Sequence, residues 1–259
     1  VYYGMVDYVD WMLGLVMETL EQTGLADSTY LIAASDHGDL AGDYGLVEKI
    51  HNAHYDPLTR VPLLIRGPGV RTGASSPTPV ALMDVMATVL ETAGIAAGHT
   101  HFSVSLVPEL TGDAGTEDAR SDDPRANAAA ARRAVFTENG FRRDEAHCFE
   151  GSAGGDGTWN PRGHYYPQTR QHQEHPESMD RVITMRSERD KLIFRPDGLS
   201  EFYDLQRDPL ENMNLTDSPD HAEIIRERER ELLLWLARTS DSVPFHHDPR
   251  GFPEERWSA

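Results

Sequence analysis

From Met5 to Leu20 the apolar residues Val6, Val9, Leu13, Val16 and Leu20 recur every three or four positions. That is the period of a helix with one apolar face, and Gly24 is well placed to end it. The run Thr29–Ala34 reads as a strand, and so does Val61-Pro62-Leu63-Leu64-Ile65, which ends at Arg66-Gly67-Pro68-Gly69. Both are short and apolar enough to be buried, and Pro62 sits at a strand start, where proline is tolerated. Asp84 is positioned to cap a helix carrying Val85, Val89 and Leu90 and closed by Gly94. Helix, strand, long loop, strand, helix predicts an α/β unit around a largely parallel sheet flanked by helices.

From about residue 96 to 180 the pattern weakens. Gly-, Ala- and charge-rich pieces interrupt faint strands, of which Ala134–Thr137 is the best. The stretch Phe149–Pro176 holds Trp159, His164, Tyr165, Tyr166, His172 and His175 among many glycines and reads as a long surface loop or lid. A small α+β unit follows. Val182–Met185, Lys191–Phe194 and Glu201–Tyr203 read as short strands, with Pro196-Asp197-Gly198 turning the chain between the last two. Ser218-Pro219 starts a helix with Ile224, Ile225, Leu232 and Leu236 on one face, and coil is expected from Ser242 onward.

Composition narrows the function classes. The 24 Lys+Arg against 43 Asp+Glu give a net charge of −19, which excludes nucleic acid as an expected partner, since that binding needs basic surface. An anionic substrate would then need a locally positive site, supplied by a metal or placed cations. No apolar run approaches the roughly 20 residues that span a bilayer. Cys148 is the single cysteine, so no intrachain disulfide forms. Val1 and Tyr2 already look like helix interior, and the chain is expected to begin inside a domain.

Chemistry concentrates in Ser35-Asp36-His37-Gly38, directly after the first strand, and in Lys49 on the glycine-studded loop beyond it. Ligands of open α/β sheets bind beyond the strand ends. A carboxylate and an imidazole there are suited to a divalent cation, and a lysine ammonium is a compact partner for an oxyanion. The alternative is a turn-capping Asp36, a surface His37 and a solvated Lys49. His51 and His54 lie close by and are candidates for contacting the oxyanion or leaving group. Nothing around Cys148, next to His147, fits a helix N-terminus, and glycines dominate its neighbourhood; the histidine spacing in the 149–176 loop matches no metal clip.

The segments SDHGDLAGDYGLVEK, YDPLTRVPLLIRGPG and LMDVMATVLETAGI, taken in order, closely resemble the second half of the sulfatase core in the alkaline-phosphatase superfamily. SLVPELTG, AVFTENG and EFYDLQRDPLENMNL resemble that family's C-terminal subdomain. The resemblance divides the chain into 1–95 (second half of the α/β core), 96–180 (variable connecting region) and 181–259 (small C-terminal subdomain of antiparallel sheet and helix). It implies hydrolysis of a small-molecule or glycan sulfate ester with a divalent cation, usually Ca2+. Asp36 and His37 fall on metal ligands, and Lys49 falls on the catalytic lysine that contacts the sulfate group. The family's formylglycine nucleophile comes from a Cys/Ser-x-Pro-x-Arg segment that this chain lacks, so the chain alone is expected to be inactive. Tyr44 stands where a histidine is common, and Ala87 where a proline is frequent. Two alternatives stay open. One is a phosphoester or phosphonate-ester hydrolase of the same superfamily, because an imidazole ligand suits Mn2+ or Zn2+ better than Ca2+. The other is a non-catalytic sulfatase-like fragment that binds anions or a partner.

Overall fold

The computed structural model of this chain describes residues 1–46, 48–50, 52–112, 133–140, 170, 174–240 and 242. Helix α1 (Tyr2–Gln22) runs slightly longer than its apolar period. Gly24 ends it at φ 71°, where its N–H reaches the Glu21 carbonyl and the Leu25 N–H reaches that of Leu20. These are the two bonds of a glycine-closed helix end. Strand β1 (Leu31–Ala34), the single-turn helix α2 (Asp56–Thr59) and strand β2 (Leu63–Arg66) follow.

The strand pairing departs from expectation. β1 and β2 are antiparallel, with Leu31 opposite Arg66 and Ala34 opposite Leu63. Connection 35–62 therefore re-enters the sheet at the end it left. A parallel pair needs a crossover to the other end, usually a long helix, and α2 is too short to be one. Nor are the strands buried: β1 is half-buried at best, and Leu64 of β2 is 61% exposed. α1 has no buried residue and presents Met5, Val6, Val9, Trp11 and Val16 to solvent.

Helix α3 (Asp84–Thr92) closes at Gly94 with the same two bonds as α1, to Glu91 and Leu90. Asp84 is not its cap. Only 1% exposed, it accepts from the backbone N–H groups of Ala81 and Val104 and from the Arg133 guanidinium. It thereby ties the helix start to two distant segments. Helix α4 (Val107–Thr111) packs against α3, and the Leu106 N–H donates to the Thr88 hydroxyl.

The second unit is a four-stranded antiparallel meander, β3 (Val135–Asn139), β4 (Val182–Arg186), β5 (Asp190–Phe194) and β6 (Glu201–Asp204), covered by helix α5 (Ala222–Thr239). β3 extends this unit upstream of the expected boundary at 181. Strand periodicity sends alternate residues to opposite faces. Met185, Leu192 and Phe202 meet Ile225 and Leu232 of α5. Val182, Ile193 and Tyr203 form the other face, against Tyr55 and Leu205. Thr184 and Lys191 fall on that second face by the same alternation and are also buried.

Candidate functional site

The turn after β1 is fixed by its own backbone. The Asp36 carboxylate accepts the His37 N–H at 2.9 Å, the Ser35 hydroxyl donates to the His37 carbonyl at 2.7 Å, and the Gly38 N–H reaches the Leu58 carbonyl of α2 at 2.8 Å. Gly38 has no alternative, because a Cβ there would lie 1.9 Å from the Pro57 carbonyl oxygen. Asp36 and His37 are left exposed, with a carboxylate oxygen 3.7 Å from Nε2. The Asp36 pKa is held below the usual range, first of all by the His37 N–H that its carboxylate accepts.

Lys49 arrives on a loop that folds back on itself. The Leu40 N–H bonds to the Glu48 carbonyl, and the Gly42 N–H to that of Leu46. This brings the Lys49 Nζ to 3.2 Å from the His37 Nε2. The tautomer follows from the partners. His37 Nδ1 lies 2.8 Å from the Gly38 carbonyl, which only accepts, and an ammonium only donates. Nδ1 therefore carries the proton and Nε2 the lone pair, the form in which imidazole binds a metal, with its other nitrogen oriented by a backbone carbonyl. Asp36 and His37 thus fit as two ligands of a divalent cation of mixed oxygen and nitrogen preference. Among the described residues no group of three or more His, Cys, Asp or Glu gathers around a common point.

Downstream of Lys49 the loop docks on the second face of the meander. Asn52 Nδ2 donates to the carbonyls of Ser178 and Asp180, and the Asn52 carbonyl accepts from Arg195. His54, 2% exposed, meets the Thr184 hydroxyl through Nδ1 at 2.8 Å. Burial, then the charges of Arg195 and Lys191, bring its pKa from 6.5 to about 4. His54 is therefore a neutral strut between loop and sheet, away from solvent. The Tyr55 hydroxyl donates to Glu201, and the Tyr44 ring lies tilted against that of Tyr55 while its hydroxyl donates to the Leu210 carbonyl.

Charges complete the joint. Lys191, with no exposed surface, donates to Asp56 at 2.9 Å and to Glu211 at 2.6 Å. Arg186 grips Asp56 through two nitrogens, and the Asp56 N–H donates to the other Glu211 oxygen. Burial pushes the Asp56 pKa up, but Arg186 and Lys191 outweigh it and hold it at about 2.

The structure thus gathers Asp36, His37 and Lys49, and sends His54 elsewhere. His51, Cys148, His147, His164 and His172 lie outside the described residues. His175 is exposed and faces Glu177. Sequence reasoning missed Asn52, Lys191 and Glu211. Asn52 carried a usable signal, since asparagine is a residue that accepts left-handed backbone, and its φ is 62°.

Residues 1–95 match the model of the Sulfatase family. Arylsulfatase K of Danio rerio is 40% identical over 110 residues, covering 42% of this chain and 21% of that protein. Choline-sulfatase of Rhizobium meliloti (strain 1021) is 36% identical over 119 residues, covering 45% and 23%. The matched part spans about a fifth of the length of these curated relatives. Among solved structures, a phosphonate monoester hydrolase of Agrobacterium radiobacter is 25% identical with a TM-score of 0.66, over 96% of this chain and 45% of that one. The sulfatase resemblance of the first 95 residues is borne out. Among the described residues, no helix is long and apolar enough to cross a membrane.

Proposed function

We propose that this chain is the C-terminal, anion-facing portion of a metal-dependent sulfuric ester hydrolase. The observation that carries this reading is the convergence of Asp36, His37 and Lys49, with Lys49 Nζ 3.2 Å from His37 Nε2 across twelve positions of sequence. A carboxylate, an oriented imidazole lone pair and an ammonium together suit a cation and an oxyanion at one point.

Asp36 and His37 would hold the cation, Ca2+ in the first instance. When bound, such an ion polarises the ester oxygens as a Lewis acid. His37 Nε2 has one lone pair, so with a cation held there the Lys49 ammonium would turn from it to a substrate oxygen. Lys49 then offsets charge that grows on the sulfate oxygens as the ester bond breaks. Gly38 keeps the imidazole in register, through its carbonyl to Nδ1 and its N–H to α2. The nucleophile, of formylglycine type, and the remaining carboxylates belong to preceding polypeptide. That polypeptide would also cover α1 and complete the sheet of which β1 and β2 form one part. Residues 1–259 alone are expected not to turn over an aryl sulfate.

A second reading, hydrolysis of a phosphate or phosphonate ester with Mn2+ or Zn2+, is favoured by the likeness to the phosphonate monoester hydrolase and by the imidazole ligand. Metal analysis of the complete polypeptide that contains these residues, with paired sulfate and phosphonate ester assays, separates the two. Preferential sulfate ester cleavage with bound Ca2+ supports the first. Preferential phosphonate ester cleavage with Mn2+ or Zn2+ replaces it with the second.

A further inference from the structure

Among the described residues, five non-glycine residues have a left-handed backbone: Ala41, Tyr44, Glu48, Asn52 and Glu211. Four of them lie in the loop that carries Lys49, one immediately before it and one three residues after. The fifth is the residue that loop docks on. Non-glycine residues resist this conformation, and it persists where surrounding contacts over-determine it. Those contacts are visible at the downstream end. Asn52 is held by the Ser178 and Asp180 carbonyls and by Arg195. Glu211 is held by Lys191 and the Asp56 N–H.

Lys49 and Lys191 are the only lysines in the sequence. One stands at the candidate site, and the other is wholly buried between Asp56 and Glu211. Asp56 lies seven residues after Lys49. A single compact ammonium can serve both carboxylates in a space closed to water, which ties the loop to β5 and to the segment after β6.

We propose that Lys191 and Glu211 are positioning residues for Lys49. Through Asp56, the C-terminal unit sets the strained loop conformation that places the Lys49 ammonium against His37. The inference rests on reading Asp36, His37 and Lys49 as the oxyanion site, and it makes the C-terminal sheet part of that site's machinery rather than an appendage.

The test is the 15N spectrum of the histidine rings in the metal-free complete polypeptide that contains these residues, at pH 7.5, with His37 assigned by its loss in His37→Gln. The wild type should show the Nδ1–H form with an Nε2 signal displaced by Lys49, and Lys49→Met calibrates that displacement. Glu211→Gln and Lys191→Met should each reproduce at least half of the Lys49→Met change. Amine acylation checks the fold, because Lys191 of Glu211→Gln must stay unlabelled while Lys49 reacts. Glu211→Gln, which keeps the side-chain shape, carries the test should Lys191→Met unfold. A His37 signal unmoved in a folded Glu211→Gln would overturn the proposal, whatever stability is lost. So would a Lys49→Met spectrum identical to wild type. Failure of the complete polypeptide to cleave sulfate esters would refute the functional reading and leave this result standing.

Discussion

Acid should loosen the loop-to-sheet joint at one identifiable group. His54 is 2% exposed, makes its described contact with the Thr184 hydroxyl, and has its pKa depressed from 6.5 to about 4 by burial and by Arg195 and Lys191. A depressed pKa means that the unfolded chain binds the proton more tightly than the folded one. His54 therefore contributes its full stabilisation above pH 6.5 and loses it as pH falls toward 4. At 1.36 kcal/mol per unit, the whole window is worth about 3.4 kcal/mol, of which about 2.5 kcal/mol falls between pH 7.5 and 4.5. The Asp56 shift acts lower, between its ordinary 3.8 and about 2, and does not intrude. The assay is urea unfolding of wild type and His54→Gln at the two pH values. Glutamine can still meet Thr184 but does not titrate. The wild type should lose about 2.5 kcal/mol more than the variant on acidification. Parallel losses in the two proteins would refute the argument.

Further outcomes follow from the same geometry. Gly38→Ala forces a Cβ against the Pro57 carbonyl at 1.9 Å, and urea unfolding should register a loss of about 1–3 kcal/mol. Lys191→Met removes the ammonium shared by Asp56 and Glu211, leaving Arg186 on Asp56 and the Asp56 N–H on Glu211 among the described residues, and should cost about 3–5 kcal/mol in the same assay. Asp84→Ala deprives two backbone N–H groups and Arg133 of their acceptor. It should destabilise by about 2–4 kcal/mol, read as a fall in the denaturation midpoint.

What was legible in the sequence was local. The 3.6-residue period and Gly24 gave α1 and its end, Gly94 gave the end of α3, and the short apolar runs gave β1, β2 and β4–β6. The pairing of β1 with β2 was not legible, because apolar runs of this kind do not say at which end the next strand enters. Nor was the docking of 52–56. Thr184, Lys191 and Glu201 put polar groups on the face they share with Val182, Ile193 and Tyr203, a mixed pattern that does not announce burial, yet Thr184 and Lys191 are 2% and 0% exposed beneath the loop. Lysine is so seldom buried that position 191 gave no warning. His54 is a site candidate on the sequence because it lies close to Lys49. Burial under the loop, which only the tertiary fold determines, makes it a strut instead. Asp36, His37 and Lys49 were found from residue type and position relative to a strand end, and these are the residues that the fold brings together.

The most direct test of the account is sulfate ester hydrolysis by the complete polypeptide containing these residues, measured for wild type, Asp36→Asn and Lys49→Met. Turnover should fall on the order of 100-fold or more in kcat for each variant, as for the loss of one group that stabilises transition-state charge. Wild-type rates retained in both variants, or no sulfate ester cleaved by the wild type, would contradict it.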